Sequence, residues 1–153
     1  GFHAQPFTFL WMQDHGALSA ASADGRRRGE ILAYSVSPMQ GRDVSGLTAA
    51  LRSLCALPNR RAPGTASAII EIDPSLLTGA HIRNVSAALR AAVGMGMSNI
   101  QFNTIRKETL VDAQKHPERH RNLAVRVSGF SQKFVLLDEK MQNHIIGRTK
   151  HAR

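Results

Sequence analysis

The sequence predicts an α/β fold, and three observations carry that expectation. Runs with strand character, "TASAIIEI" and "SNIQFNTI", alternate with segments whose apolar residues recur at helical spacing. Glycine, proline and Asp-Gly punctuation falls between those runs rather than inside them. The chain has 153 residues, 42% of them apolar, which suffices for one domain with a real core.

Taken in order, residues 1–22 are ambiguous: "FTFLWM" is compatible with a strand, and "DHGALSAASADG" reads as an irregular connection. Residues 23–46 carry four glycines and a proline, which is loop chemistry. Ser45 is the expected N-cap of a helix bearing Leu47, Leu51, Leu54 and Cys55, stopped at Pro58. The loop "PNRRAPG" leads into the strand "TASAIIEI". "DPSLLTG" is a turn with Thr78 as cap for the next helix, whose face is marked by Ile82, Val85, Leu89 and Val93 and which ends at Gly94 and Gly96. "SNIQFNTI" alternates Ile100 and Phe102 with Asn99, Gln101 and Asn103, and amides on a buried strand need partners. "KETLVDAQKH" is a short helix halted before Pro117. "NLAVRVS" is a strand with Leu123, Val125 and Val127 on one face, and "FSQKFVLL" continues extended. Asp138 caps a last helix with Met141, Ile145 and Arg148 along one side.

Composition excludes several classes. The longest apolar runs fall far short of the roughly 20 residues of a spanning helix, so no membrane partner is expected. "GFHAQPFTFLW" has no charged n-region of a signal peptide, and a first residue other than Met suggests a segment of a longer protein or a processed chain. The single cysteine, Cys55, excludes an internal disulfide and fits a reducing, cytoplasmic setting. The formal charge of +9 admits nucleic acid as a partner. The positive charge is dispersed, however, and one Trp and one Tyr are a poor supply for base stacking, so no nucleic-acid partner is expected.

The reactive side chains form no familiar site. His116 and His120 are four apart, but Pro117 breaks any helix that would align them on a metal. Cys55 lies among apolar and small neighbours, as a structural cysteine does. Glu108 and Asp112 read as a solvated helix face, and Gly25, Gly29, Gly41 and Gly46 form no phosphate loop. Gly129, alone between two apolar runs, reads as a turn residue.

The surroundings of Gly129 add a second meaning. "NLAVRVSGFSQKF" resembles the signature of glycyl radical enzymes, with Val125, Arg126, Val127, Ser128, Gly129, Phe130 and Ser131 in its core. "IQFNTIRKETLVDAQKHPERHRNL" resembles the family's lead-in and "IIGRTKH" its C-terminal helix. Upstream, Asp24, Gly25, Arg26, Gly29, Glu30, Ser37, Pro38, Gly41, Asp43, Gly46, Thr48 and Ala49 match another family block, with Ala23 where Pro is usual. The chain is thus similar to the C-terminal portion of a pyruvate formate-lyase-like enzyme.

The resemblance implies the end of an α/β barrel that closes in a Gly-tipped hairpin finger and a helix. It implies a barrel-domain tail over residues 1–25 and a glycine radical domain over 26–153. Gly129 would store the radical, with Arg126, Val127, Ser128 and Phe130 supporting the loop and Phe130 shielding it. No bound cofactor and no metal is implied. The radical would be installed by a separate activating enzyme that uses S-adenosylmethionine and an iron–sulfur cluster. A catalytic cysteine on the missing remainder of the barrel would pass the radical to a small-molecule substrate, so this segment alone would be inactive. The alternative is a free-standing radical donor that repairs a damaged pyruvate formate-lyase-like partner.

Overall fold

A computed structural model describes residues 11–61, 67–97, 99–148 and 150–152. Residues 7–10 of the strand candidate "FTFLWM", loop residues 62–64, the first two residues of "TASAIIEI", Ser98 and Thr149 lie outside them. Helix α1 spans Met12–Leu18, α2 Leu47–Cys55, α3 His81–Gly94, α4 Lys107–Lys115 and α5 Glu139–Ile146. The strands are β1 Ser67–Ile72, β2 Asn99–Asn103, β3 Ala124–Arg126, β4 Ser131–Lys133 and β5 Lys150–His151.

Strands β2, β1 and β5 form a parallel sheet with β1 in the middle. All six residues of β1 are buried, as a central parallel strand requires. The pleat of β1 divides the interior. Ala68, Ile70 and Ile72 face an apolar cluster with Leu51, Leu54, Val85 and Ala92. Ile69 faces the other cluster, with Leu110, Val125, Val127, Phe134 and Ile145. Glu71 follows Ile69 by two residues and therefore shares this second face. Strands β3 and β4 form a separate antiparallel pair, with Ala124 opposite Lys133 and Arg126 opposite Ser131.

The expected α/β alternation is present, with several local corrections. Met12–Leu18 is helical, although Met12 ends the strand candidate "FTFLWM" and Asp14–Leu18 open the expected irregular connection. Its Gly16 reads as a breaker in sequence, yet the bare α-carbon lets the helix sit against the backbone of Glu30, where a side chain would collide. Gly46 rather than Ser45 takes the N-cap position of α2, without a side-chain cap. Thr78 does not cap α3; its hydroxyl bonds the Ser75 carbonyl, and Ala80 stands at the helix start. On α3, Val85, Ala88, Leu89 and Ala92 face the core, whereas Ile82 and Val93 are exposed. Small Ala88 and Ala92 join the cluster that α3 shares with α2, so the helix turns a face that large-residue periodicity does not reveal. The extended run after Phe130 lasts only through Lys133, and Phe134–Leu136 is a 3-10 turn. Helix α5 ends at Ile146, so Arg148 lies beyond it, and Lys150–His151 form a strand instead of prolonging the helix.

Phe134 is fully buried in the cluster beneath the hairpin. We predict that Phe134→Ala lowers stability by about 3–5 kcal/mol, measured by urea denaturation.

Candidate functional site

The site grows from a polar stripe on one face of the sheet. Ser67 and Glu71 on β1 lie beside Asn99 and Asn103 on β2, with Gln101 between. Period two puts all of them on the Ile69 face, under the β3–β4 hairpin. The amides that lacked partners in sequence find them there. Arg126 donates its backbone N–H to Asn103 Oδ1 at 2.6 Å, and Asn103 Nδ2 donates to the Arg126 carbonyl at 3.0 Å. Arg126 Nε donates to Gln101 Oε1 at 2.6 Å, and Arg126 Nη1 to Ser131 Oγ at 3.2 Å across the hairpin.

Glu71 is the anchor. Its side chain is 2% exposed, a costly place for a carboxylate without partners. Arg148 Nη1 donates to Glu71 Oε1 at 3.1 Å, Asn103 Nδ2 to the same oxygen at 2.8 Å, and Lys150 Nζ to Glu71 Oε2. Arg148 also reaches the hairpin: Nη1 donates to the Arg126 carbonyl at 3.0 Å and Nη2 to the Val127 carbonyl at 2.9 Å. One guanidinium thus joins the buried carboxylate to two consecutive backbone carbonyls, the planar fork that arginine provides and lysine does not.

The hairpin turn spans Val127–Phe130, with the Val127 N–H donating to the Phe130 carbonyl at 3.0 Å. Val125 and Val127 are buried in the core, and Ser128 is buried with a hydroxyl that has no partner among the described residues. Gly129 has φ +86° at the third position of the turn, a value that glycine adopts without strain. Gly129 is exposed. Phe130, expected to shield it, is itself 40% exposed. The inward residues of the hairpin, Val125, Val127 and Ser128, are consumed by packing, and the tip stays exposed.

Behind the clamp lies a cavity of about 30 Å³ lined by Tyr34, Asp43, Glu71, His144 and Arg148. Among the described residues, Tyr34 Oη and His144 Nδ1 have no hydrogen-bond partner, and the space suffices for a water. Burial, helped by the Arg148 charge, pushes the His144 imidazole down to about 3.

The other reactive residues stand apart. Cys55 packs against the opposite cluster, its Sγ 3.7 Å from the Ala92 carbonyl, and burial pushes its thiol up. His120 Nε2 lies 2.6 Å from Asp112 Oδ2, a pairing that lowers the Asp112 carboxyl. Among the described residues no group of three or more His, Cys, Asp or Glu is placed to hold a metal, and no helix is long and apolar enough to cross a membrane. Sequence reasoning missed Glu71, Asn103 and Arg148 as a unit. The available signals were an acid inside "AIIEI" and the alternating amides.

Comparison with known proteins bears on this arrangement. The family model described as "Glycine radical" matches residues 32–135. Isethionate sulfite-lyase of Desulfovibrio desulfuricans is 35% identical over 139 residues, covering 89% of this chain and 17% of its own. The probable dehydratase YbiW of Escherichia coli is 36% identical, again over 89% of this chain and 17% of its own. The glycerol-bound B12-independent glycerol dehydratase of Clostridium butyricum superposes with a TM-score of 0.89 at 40% identity, over 97% of this chain and 19% of that one. The chain therefore spans about a sixth of the length of the curated relatives it matches.

His144 gives the site a pH signature. Its folded value lies below the ordinary value of 6.5, so the folded state refuses a proton that the unfolded chain accepts. Stability from this group is present above about pH 6.5 and is lost as pH falls toward 3. Between pH 7.5 and pH 5 the protein should lose about 2 kcal/mol that His144→Gln does not lose, read from urea midpoints across that range.

Proposed function

The chain belongs to the glycine radical family, the glycyl radical enzymes, and from that premise we propose that Gly129 stores the radical. The observation that carries this reading is the exposed, positive-φ glycine at the tip of a turn whose preceding carbonyls are held by Asn103 and Arg148. Loss of one Hα leaves a planar carbon between an amide nitrogen that donates electron density and a carbonyl that withdraws it. The spin spreads over both peptides, and only a residue without a side chain flattens there without a clash. In this reading, Val127 anchors the loop in the core and Arg126 ties it to the sheet. Ser128 and Phe130 flank the radical carbon.

The division of the chain is part of the proposal: residues 1–25 end a barrel domain, and residues 26–153 form the glycine radical unit. The loop threads into the barrel, which supplies the cover that Phe130 does not. Exposed Trp11, Leu18 and Leu136 are apolar surface suited to burial against it. A separate enzyme carrying S-adenosylmethionine and an iron–sulfur cluster abstracts the hydrogen atom in the cytoplasm. A cysteine upstream of this chain then gives its hydrogen to the glycyl radical and acts on a small-molecule substrate as a thiyl radical. Cys55 does not fill that role, because it faces the cluster on the other side of β1. This segment alone is accordingly inactive. The relatives are named as lyases and dehydratases, which favours a lyase or dehydratase over a free-standing donor.

The test uses oxygen. After anaerobic activation of the intact protein, exposure to air should cut the backbone at Gly129, giving two fragments by mass spectrometry. Gly129→Ala should stay whole. An unbroken wild-type chain after proven activation would falsify the assignment.

A further inference from the structure

The backbone ladder does not tie the Gly129 turn to the main sheet. Strands β3 and β4 pair with each other and not with β2, β1 or β5. Side-chain donors take over that task. The Arg126 carbonyl accepts from Asn103 Nδ2 and Arg148 Nη1, and the Val127 carbonyl from Arg148 Nη2. Of these two donors, only Arg148 reaches the residue just two positions before Gly129. Its guanidinium is oriented by Glu71, and its backbone lies between the end of α5 and the two-residue strand β5. That strand is held by its register with Glu71 and Ile72 and by the Asp73 N–H donating to the His151 carbonyl at 2.8 Å. The C-terminal segment therefore reaches back to fix a loop about twenty residues earlier in the chain.

We propose that Arg148 is a positioning residue for Gly129: it fixes the Val127 carbonyl and, through it, the orientation of the peptides that flank the radical carbon. This rests on Gly129 being the radical site. The competing account is that Arg148 merely neutralises Glu71. Lys150 separates the two, because it bonds the other Glu71 oxygen and, among the described residues, makes no bond to the turn. An arginine that acts only as counter-charge is replaceable by lysine and equivalent to Lys150. An arginine that positions the turn is neither, because lysine lacks the planar fork that spans one carboxylate and two carbonyls.

The experiment is amide hydrogen exchange by mass spectrometry on the intact, unactivated protein, comparing wild type with Arg148→Lys, Lys150→Met and Asn103→Ala. Positioning predicts about tenfold faster exchange in peptides covering 126–131 for Arg148→Lys, as expected for loss of hydrogen bonds worth about 1.5 kcal/mol. It predicts a smaller rise for Asn103→Ala and a change within about twofold for Lys150→Met, with β1 and β2 unchanged in Arg148→Lys. Unaltered exchange at 126–131 in Arg148→Lys, or equal acceleration in Arg148→Lys and Lys150→Met, would overturn the proposal. Arg148→Lys keeps the charge opposite Glu71, so the test survives if bolder replacements at 148 do not fold. No radical is involved in this readout, so failure of positioning and failure of the Gly129 assignment are separately visible.

Discussion

Burying the Glu71 carboxylate at the centre of a parallel sheet obliges the fold to bring donors to one place, and the glycine turn is built on the outcome. A carboxylate withdrawn from water needs compensation from several hydrogen bonds and opposite charges. Here β2 supplies Asn103, while the C-terminal segment supplies Arg148 and Lys150. Two of these three donors have capacity left over, and both spend it on the backbone just before Gly129. The polar stripe thus links a buried charge by hydrogen bonds to a turn that stands outside the main ladder. On the apolar side, Val125, Val127 and Phe134 fill the same cluster and hold the hairpin from beneath.

Much of this was legible in the sequence where local chemistry decides the outcome. The β1 and β2 strands, the helix halted before Pro117 and the cap by Asp138, whose Oδ1 accepts from the Met141 N–H, follow from patterning and punctuation. The need of Asn99, Gln101 and Asn103 for partners was also readable, but the partners' identities were not. Arg126 meets Gln101 and Asn103, and Arg148 meets Glu71, through tertiary contacts spanning 23 to 77 residues of chain, and no local periodicity encodes such distances. The same limit hid helix α1, whose Gly16 signals a break locally but serves close packing against Glu30. It also hid strand β5, which is only two residues long and exists because β1 offers it an edge.

Relatives named as a sulfite-lyase and as dehydratases share this segment at 34–36% identity, although it makes up only 17% of each. Different reactions over one shared segment are what a common radical store would give, with substrate choice made in the remaining length. The exposed tip at Gly129 and Phe130 fits the proposed division, in which a store serving a separate cysteine presents its carbon rather than encloses it.

The most direct test is an anaerobic electron paramagnetic resonance spectrum of the activated intact protein, prepared with ordinary glycine and with glycine deuterated at the α-carbon. The account predicts a doublet from the single remaining α-hydrogen, its collapse on deuteration, and no signal in Gly129→Ala. A radical that persists in Gly129→Ala, or a doublet indifferent to deuteration, would place the unpaired electron elsewhere and contradict it.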